Sequence, residues 1–216
     1  PYPGEKGYST FPKDAYRNTY TGAANNWAGM AVDRKRGIIY VPTGSAGYDF
    51  WGGNRKGQNL YANCLLALDA RTGKRLWHFQ TTHHDLWDRD LPAPPNLITV
   101  TRNGKRIDAV AQITKQGFVF LFDRVKGKPL FDIHEIPVDR AGLPGEHVWP
   151  TQPFPVLPKP YARLSNEIKA SDVSPYAKNK EELSATLGQL KRGWYDTPSE
   201  QGTLILPGFD GGGEWG

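Results

Sequence analysis

The sequence predicts an all-β fold made of propeller blades, with one short inserted helix. The 216 residues include 24 Gly and 18 Pro, which favours many turns and disfavours a helical bundle. Residues 66–77 and 120–131 share the pattern apolar-Asp-x-x-x-Gly-Lys-x-x-aromatic, in which Asp123 follows Asp69 by 54 positions. A period near fifty residues with about four strands per unit is typical of propeller blades.

Composition and charge exclude several classes of protein. Hydrophobic residues make up 38% of the chain, and the 27 Lys and Arg exceed the 22 Asp and Glu by five. The charges are scattered along the sequence, which indicates a solvated surface and no nucleic-acid partner. No apolar run approaches the roughly 18 residues of a membrane span. Cys64 is the single cysteine, so no internal disulfide can form.

The first blade is predicted over residues 25–95, after a Gly- and Pro-rich loop at 1–24. Two apolar runs on either side of the basic turn 34–36 predict a pair of strands. Residues 65–79 predict a hairpin, because Asp and Thr-Gly supply the chemistry of its turn. The polar stretch 43–63 between them is long, and such loops in a compact domain are usually functional or disordered.

The second blade is predicted over residues 96–134, with a turn at Asn103-Gly104. Residues 135–200 are rich in Pro and are expected to be irregular apart from a helix at 175–192. Pro175 suits a first helical turn, and leucines at 183, 187 and 190 recur at helical spacing, which predicts a helix packed between blades. Residues 201–216 are interpreted as the start of a further blade, so the chain is expected to be one incomplete domain.

The loop that follows the first hairpin concentrates acids, imidazoles and indoles. Residues 77–90 begin as a strand and end as His-His-Asp-Leu-Trp-Asp-Arg-Asp, which is too polar for a core. Loops held by rigid sheets are where chemistry usually lies. His83 and His84 are adjacent and would point to opposite sides, which argues against a shared transition-metal ion.

Four motifs together resemble the dehydrogenases that depend on pyrroloquinoline quinone (PQQ), and most closely the branch of membrane glucose dehydrogenase and its sugar and polyol relatives. They are Asn25–Gly29, His83–Asp88, Pro150–Phe154 and Gly208–Gly216. The resemblance implies an eight-bladed propeller with PQQ and a divalent ion, Ca²⁺ or Mg²⁺, at its axis. This chain would then hold about three of the blades.

The resemblance also assigns roles to individual residues. PQQ is a flat anionic quinone, and holding it requires an aromatic surface and cations. Trp27 matches the indole that stacks on the quinone, and Lys115 matches the cation beside its reactive oxygens. Asp88 matches the catalytic base, whereas Asp85 is expected to order the loop.

The remaining site residues follow from weaker matches. Alcohol-oxidising members carry Asn where this chain has Ser45, and a serine hydroxyl is a poor Ca²⁺ ligand, so Asp49 is the second candidate metal ligand. Asp210, Glu214 and Trp215 fall where the next blade approaches the cofactor, and they complete the predicted PQQ-binding set.

The function implied by the resemblance is oxidation of an alcohol or sugar hydroxyl by base-assisted hydride transfer to the quinone. The expected electron acceptor is a cytochrome c or haem domain, or ubiquinone, and the expected location is the periplasm or the outer face of the membrane. These 216 residues alone are expected to be inactive. Two alternatives stay open, namely a non-catalytic propeller scaffold that binds protein partners and a carbohydrate-binding propeller.

Overall fold

The computed structural model describes residues 3–5, 8–10, 14, 17 and 22–213, and shows a β-rich chain with one α-helix in that part. Its strands and helix are β1 Gly22–Ala23, β2 Ala31–Asp33, β3 Ile38–Pro42, β4 Ala46–Gly47, β5 Cys64–Asp69, β6 Arg75–Gln80, β7 Asn96–Arg102, β8 Lys105–Ile113, β9 Val119–Asp123, β10 Ile133–Pro137, β11 Thr151–Pro155 and α1 Lys180–Gln189.

The region predicted as the first blade contains a four-stranded antiparallel sheet in the order β2-β3-β5-β6. Alternation along β3 buries Ile38, Tyr40 and Pro42 while the residues between them are half-buried, as expected for a strand with one face toward the core. In the small antiparallel pair β1-β4, the segment before β2 pairs with the long connection between β3 and β5.

The second blade has three full strands, β7-β8-β9, where four were expected. Asn103 and Gly104 both take positive φ and close the predicted two-residue turn. The fourth strand is reduced to a bridge between Phe122 and Pro129. Pro129 has no N–H to donate to a ladder, and the chain beyond it pairs elsewhere as β10.

The two blades pack face to face through aromatic side chains. The Trp77 ring lies 5.7 Å from that of Phe122, and Phe79 lies 4.9 Å from the same ring. Trp77 Nε1 and the hydroxyl of Tyr40 both donate to the carbonyl oxygen of Arg124, at 3.3 and 2.7 Å. Trp77 therefore docks its blade onto the next one.

Phe131 stands at the repeat position equivalent to Trp77, yet it makes a different contact. The guanidinium of Arg102 lies 4.9 Å above its ring. Arg102 belongs to β7 of the same blade, so Phe131 makes a cation–π interaction within its own blade.

The region 135–200 is more ordered than the sequence indicates. Strands β10 and β11 form an antiparallel hairpin, with Glu135 opposite Pro153 and Ile133 opposite Pro155. The prolines obscured this hairpin in the sequence, but proline is tolerated where a strand has a free edge. Between residues 201 and 213 no strand forms, and Thr203 makes only an isolated parallel bridge to Lys191.

The helix is shorter and more exposed than predicted. It begins at Lys180 and not near Pro175, with Glu181 and Glu182 in the first turn, where acidic residues complement the positive helix terminus. None of its ten residues is buried, so it lies on the surface and is not wedged between blades. Across the described residues, no helix is long and apolar enough to cross a bilayer.

Strand direction divides the connections into two groups at opposite ends of the sheets. At one end are tight turns, namely 34–37, 70–74, 103–104 and 124–128. At the other end are two long connections, 43–63 and 81–95, and the five-residue connection 114–118. Every candidate residue between Ser45 and Lys115 lies in the second group, so the sheets present these side chains together.

Candidate active site

Hydrogen bonds hold the connections 43–63, 81–95 and 114–118 against one another. The backbone N–H and hydroxyl of Thr81 both donate to the carbonyl oxygen of Asn63, at 2.8 and 3.0 Å. The side-chain amide of Gln116 donates to the Thr82 hydroxyl at 2.6 Å. Each connection is thus anchored to its neighbours, and the side chains on them have defined relative positions.

Asp85 is the buried hub of the loop. Its Oδ2 accepts from the Asn63 amide at 2.8 Å and from the Arg89 backbone N–H at 2.6 Å, and also from the Ser45 hydroxyl. Its Oδ1 accepts from the backbone N–H of Trp87 at 2.9 Å. Because its oxygens are occupied by donors and only 1% of the residue is exposed, Asp85 orders the loop and is poorly placed to accept a proton from a substrate.

Asp88 and Asp90 project from the same loop toward Lys115. The Lys115 Nζ lies 3.1 Å from Asp88 Oδ2 and 3.7 Å from Asp90 Oδ2. The backbone N–H of Ser45 donates to the other oxygen of Asp90, and a side chain at Gly44 would collide with that carboxylate. The result is a mostly buried ammonium between two carboxylates from one loop.

Burial raises the pKa of Asp88 to about 6. The hydrogen bond and charge of Lys115 oppose this increase in the pKa, whereas the carboxylates of Asp90 and Asp85 add to it. Asp88 is therefore ionised at neutral pH, with a pKa close enough to 7 for general-base chemistry. It also adopts φ of 56°, a left-handed conformation that is uncommon outside glycine.

Trp27 completes the group of side chains around Lys115. Its ring centroid lies 5.8 Å from Lys115 Nζ, and 39% of the residue is exposed. The side-chain amide of Asn26 fixes the segment that carries Trp27 to the first blade. It donates to the carbonyl oxygens of Gly29 and Pro42, at 2.9 and 2.7 Å. An accessible indole beside a buried ammonium suits a flat, anionic aromatic ligand.

Residues 208–213 pack onto the connection 114–118, which contains Lys115. The Gly212 N–H donates to the carbonyl oxygen of Lys115 at 2.8 Å, and a Cβ at Gly211 would lie 2.6 Å from Lys115 Cγ. Asp210 is exposed in this segment and has no side-chain hydrogen bond or ion pair with the described residues. The other two predicted cofactor residues, Glu214 and Trp215, lie outside the described residues.

Comparison with known proteins identifies the family. The family described as "PQQ: Glucose/ethanol/alcohol dehydrogenase, beta-propeller domain" matches residues 2–216. This chain belongs to that family. The predicted resemblance to the PQQ-dependent dehydrogenases is confirmed, and the predicted propeller segment agrees with the observed blades.

Relatives of this PQQ-family chain are named as glucose and quinate/shikimate dehydrogenases. It is 38% identical over 217 residues to the quinoprotein glucose dehydrogenase of Escherichia coli K12, covering 99% of this chain and 27% of the relative. It is 36% identical over 219 residues to the quinate/shikimate dehydrogenase (quinone) of Acinetobacter baylyi, covering 97% and 26%. The chain therefore spans about a quarter of these relatives.

A solved structure agrees with the fold. A europium-containing methanol dehydrogenase superimposes with a TM-score of 0.61, covering 99% of this chain and 30% of that one, at 20% identity. At that level of identity the similarity bears on the propeller fold alone.

The site of this PQQ-family chain fits the cofactor better than it fits the predicted metal ligands. Trp27 and Lys115 offer the aromatic surface and the cation that PQQ requires. Ser45 donates its hydroxyl to Asp85. The Asp49 side chain is largely exposed and makes no hydrogen bond with the described residues, and partial desolvation together with the charges of Asp90 and Asp85 raises its pKa. Within the described part of the chain, no three His, Cys, Asp or Glu residues are grouped to hold an ion. The assignment of Ser45 and Asp49 as ligands stays a prediction.

Sequence reasoning missed three structural members of the site. Asp90 has a detectable signal, because its spacing of two from Asp88 allows both carboxylates to reach one cation. Asn63 and Glu146 have no such signal in the sequence, since each contacts the connection 81–95 from a distant segment. Glu146 Oε1 pairs with His84 Nε2 at 2.8 Å, while His83 Nε2 pairs with Glu135 at 3.1 Å. The two histidines thus diverge and bind different carboxylates, in agreement with the argument against a shared ion.

Proposed function

We propose that the protein containing this chain oxidises an alcohol or sugar hydroxyl with PQQ as the cofactor, and that Asp88 is the catalytic base. The observation that carries the proposal is the meeting of three groups around one nitrogen. Lys115 Nζ lies 3.1 Å from the Asp88 carboxylate and 5.8 Å from the Trp27 ring centroid. A base, a cation and a stacking surface are thereby presented to one small volume.

The residues of this chain would divide the work. Asp88, ionised at neutral pH, accepts the hydroxyl proton of the substrate while the carbon–hydrogen bond breaks. Lys115 supplies a fixed positive charge beside the atoms where negative charge develops. Trp27 orients the flat ring of the cofactor by stacking. When bound, PQQ supplies a quinone that accepts the hydride, so that the alcohol becomes a carbonyl product.

Hard oxygen ligands for a divalent ion are available at the same place. The carboxylates of Asp88 and Asp90 both approach Lys115, and carboxylate oxygens are the ligands that Ca²⁺ and Mg²⁺ prefer. Ser45 and Asp49 remain the predicted additional ligands. The ion would lower the pKa of a neighbouring carboxylate and so keep Asp88 ionised.

Substrate and partners follow from the relatives and not from the site. The relatives are named for glucose, for quinate or shikimate and for glycerol, so we propose a hydroxyl-bearing small molecule of that kind. The proposed electron acceptor is a cytochrome c or haem domain, or ubiquinone, and the proposed location is the periplasm or the outer face of the membrane.

The alternatives of a scaffold or a carbohydrate-binding propeller account less well for the site. Asp88 and Lys115 are mostly buried, and burying charged groups costs free energy unless a function or a strong pairing retains them. The raised pKa of Asp88 shows that Lys115 does not fully compensate its burial. A surface that only binds partners has no need for this arrangement.

The test uses the full-length protein loaded with PQQ and Ca²⁺, with dye reduction measured for glucose, quinate, glycerol and simple alcohols. We expect turnover with at least one of these substrates, and none without PQQ. Tight PQQ binding without turnover on any of them would contradict the proposed dehydrogenase activity. The same assay with Mg²⁺ in place of Ca²⁺ identifies the ion that supports the reaction.

A further inference from the structure

The end of the two blades opposite the candidate active site is strongly basic. We define the turn face as residues 33–37, 69–75, 102–108 and 123–128, which form the tight turns of both sheets. Each of these four segments carries three basic residues: Arg34, Lys35 and Arg36; Arg71, Lys74 and Arg75; Arg102, Lys105 and Arg106; and Arg124, Lys126 and Lys128.

Contacts between the segments show that the turns form one surface. Arg36, in the first turn, pairs with Asp108 of β8 in the neighbouring blade. Arg124, in the last turn, reaches back to Asp33 at 3.2 Å. Trp77 packs beside Gly127 between the blades. The basic side chains of both sheets are therefore adjacent in space, although they are far apart in sequence.

The charge of the chain is divided unevenly between this face and the rest. The turn face contains twelve of the 27 basic residues and four of the 22 acidic ones, a net charge of +8. The formal charge of the whole chain is +5, so the remaining residues carry −3. The positive charge of the protein is thus a property of one end of its blades.

The four acidic residues of the turn face leave most of its basic side chains unpaired. Asp33 and Asp108 pair only with Arg36 and Arg124, and the other two carboxylates serve their own turns. Asp69 accepts from the backbone N–H groups of Arg71 and Thr72, and Asp123 accepts from those of Val125 and Lys126. Eight exposed basic side chains make no hydrogen bond or ion pair with the described residues. They are Arg34, Lys35, Arg71, Lys74, Lys105, Arg106, Lys126 and Lys128.

We propose that the turn face docks on an anionic phospholipid surface, with the candidate active site directed away from the membrane. Long Lys and Arg side chains on several separate turns suit a fluid surface, which needs no fixed spacing between its charges. Val125 is exposed at the tip of the last turn and offers an aliphatic group for the headgroup region.

The position of the turn face favours lipid over an acidic redox protein. Strand β8 has nine residues and so separates the turn face from Lys115 by about 30 Å at roughly 3.4 Å per residue. An electron acceptor would be better placed at the other end, near the cofactor, so this orientation fits the proposed cytochrome c or haem domain and does not fit ubiquinone. This choice between partners rests on the proposed function, whereas binding to lipid is measured without any turnover.

Lysine footprinting on the full-length protein tests the orientation directly. The protein is acetylated in the presence of vesicles of pure phosphatidylcholine, or of phosphatidylcholine with an equal amount of phosphatidylglycerol. We expect the anionic vesicles to slow acetylation of Lys35, Lys74, Lys105, Lys126 and Lys128 at least about fivefold. Lys159, Lys178 and Lys180, which are exposed elsewhere, should react at unchanged rates.

Charge-reversal variants separate this surface from general electrostatics. The triple variant Lys35→Glu, Lys105→Glu and Lys128→Glu should bind the anionic vesicles roughly a hundredfold more weakly, at about 1 kcal/mol for each basic residue near the surface. The triple variant Lys159→Glu, Lys178→Glu and Lys180→Glu has the same change in net charge and should lose much less.

Two results would overturn the proposal. One is equal protection, or equal loss of vesicle binding, for the turn-face lysines and the three control lysines. The other is protection of the turn-face lysines by poly-glutamate or duplex DNA but not by the anionic vesicles, which would assign the surface to a macromolecular anion. PQQ binding by the turn-face variant, measured in parallel, shows that its active-site end is intact.

Discussion

The Lys115 ammonium lies 3.1 Å from the Asp88 carboxylate although the two residues belong to connections of different blades. The side chain of Asp88 is only 20% exposed, and its burial raises the pKa of the carboxyl group to about 6 even with this cation beside it. The pair is therefore held by the docking of two sheets, and under the proposed function it supplies the base and the cation. Replacing either Asp88 or Lys115 tests the chemistry of the pair.

Replacing Asp88 by Asn should abolish most of the activity and leave the fold intact. The amide preserves the shape but cannot accept the substrate proton, so we expect kcat to fall by about 10²- to 10⁴-fold. PQQ binding should change little. The measurement is steady-state dye reduction by the loaded full-length protein.

Two controls accompany that variant. Asp132→Asn removes an exposed carboxylate outside the site and should keep full activity. Asp90→Asn removes the second carboxylate near Lys115 and should reduce activity less than Asp88→Asn. A larger loss in Asp90→Asn, with PQQ still bound, would transfer the role of base to Asp90.

Replacing Lys115 by Met should raise the pKa of Asp88 above 6. The hydrogen bond and charge of Lys115 both lower that pKa, so their removal leaves burial and the neighbouring acids as the main influences. The carboxyl titration is followed by NMR in the protein without PQQ, so the result does not depend on turnover. Lys56→Met, in an exposed part of the connection 43–63, should leave the titration midpoint of Asp88 unchanged.

The raised pKa of Asp88 also fixes the sign of its effect on stability. Protonated Asp88 suits the folded state, so its favourable contribution is complete below its ordinary pKa of 3.8 and is lost as the pH rises through about 6. Asp88→Asn should therefore be more stable than the parent protein at pH 7 and close to it at pH 4. Denaturant unfolding at the two pH values measures the difference, and a variant that is less stable at pH 7 contradicts the assigned burial cost.

Asp85→Asn should mainly reduce the stability of the fold, and should affect catalysis only through that loss. The Asp85 carboxylate accepts from Asn63, from two backbone N–H groups and from Ser45, and an amide would present a donor to some of these donors. We expect the free energy of unfolding to fall by about 2–4 kcal/mol. Ser45→Ala removes only one donor and should cost about 1 kcal/mol. Equal stability of Asp85→Asn and the parent protein would remove Asp85 as the hub of the loop.

The sequence predicted the blades because their signals are local. The repeat around Asp69 and Asp123 contains both turn chemistry and the docking aromatic position, and the Asn103-Gly104 turn is encoded by two residues. The hairpin of β10 and β11 escaped prediction because proline hides strand character. The helix was extended toward Pro175 because a proline at a first turn is compatible with a helix and does not require one.

Long-range relationships could not be predicted in the same way. The contacts of Asn63 with Asp85 and of Glu146 with His84 join segments that carry no mutual signal in one sequence. The basic residues appear scattered along the chain, which led to the expectation of an evenly solvated surface. They gather on the turn face only because antiparallel strands return every second turn to the same end.

Trp27→Ala should weaken PQQ binding by roughly ten- to a hundredfold. Stacking and burial of such a ring are worth on the order of 1–3 kcal/mol, and the exposed Trp27 indole beside Lys115 is the available surface. Titration of PQQ into the full-length protein measures the change in Kd. The Kd of Trp27→Phe should lie between those of the parent protein and of Trp27→Ala. Tyr176→Ala, at a residue that is 92% exposed, serves as the control. Unchanged affinity in Trp27→Ala would remove this residue from the cofactor site.

Gly127→Ala tests the docking of the blades. Gly127 adopts φ of +66°, and a Cβ there would lie 2.5 Å from the Trp77 ring. Gly104 adopts a similar φ of +72° but has open space around the Cβ position. Gly104→Ala therefore measures the cost of the left-handed conformation alone, about 1 kcal/mol.

Gly127→Ala should cost that amount and, in addition, the displacement of Trp77 from Phe122 and from the Arg124 carbonyl. We expect a total loss of about 3 kcal/mol in the free energy of unfolding, measured by urea titration of the full-length protein. The emission of Trp77, isolated by comparison with Trp77→Phe, should shift to longer wavelength as its ring becomes more exposed. Equal destabilisation by the two alanine variants would mean that Trp77 does not hold the blades together at this position.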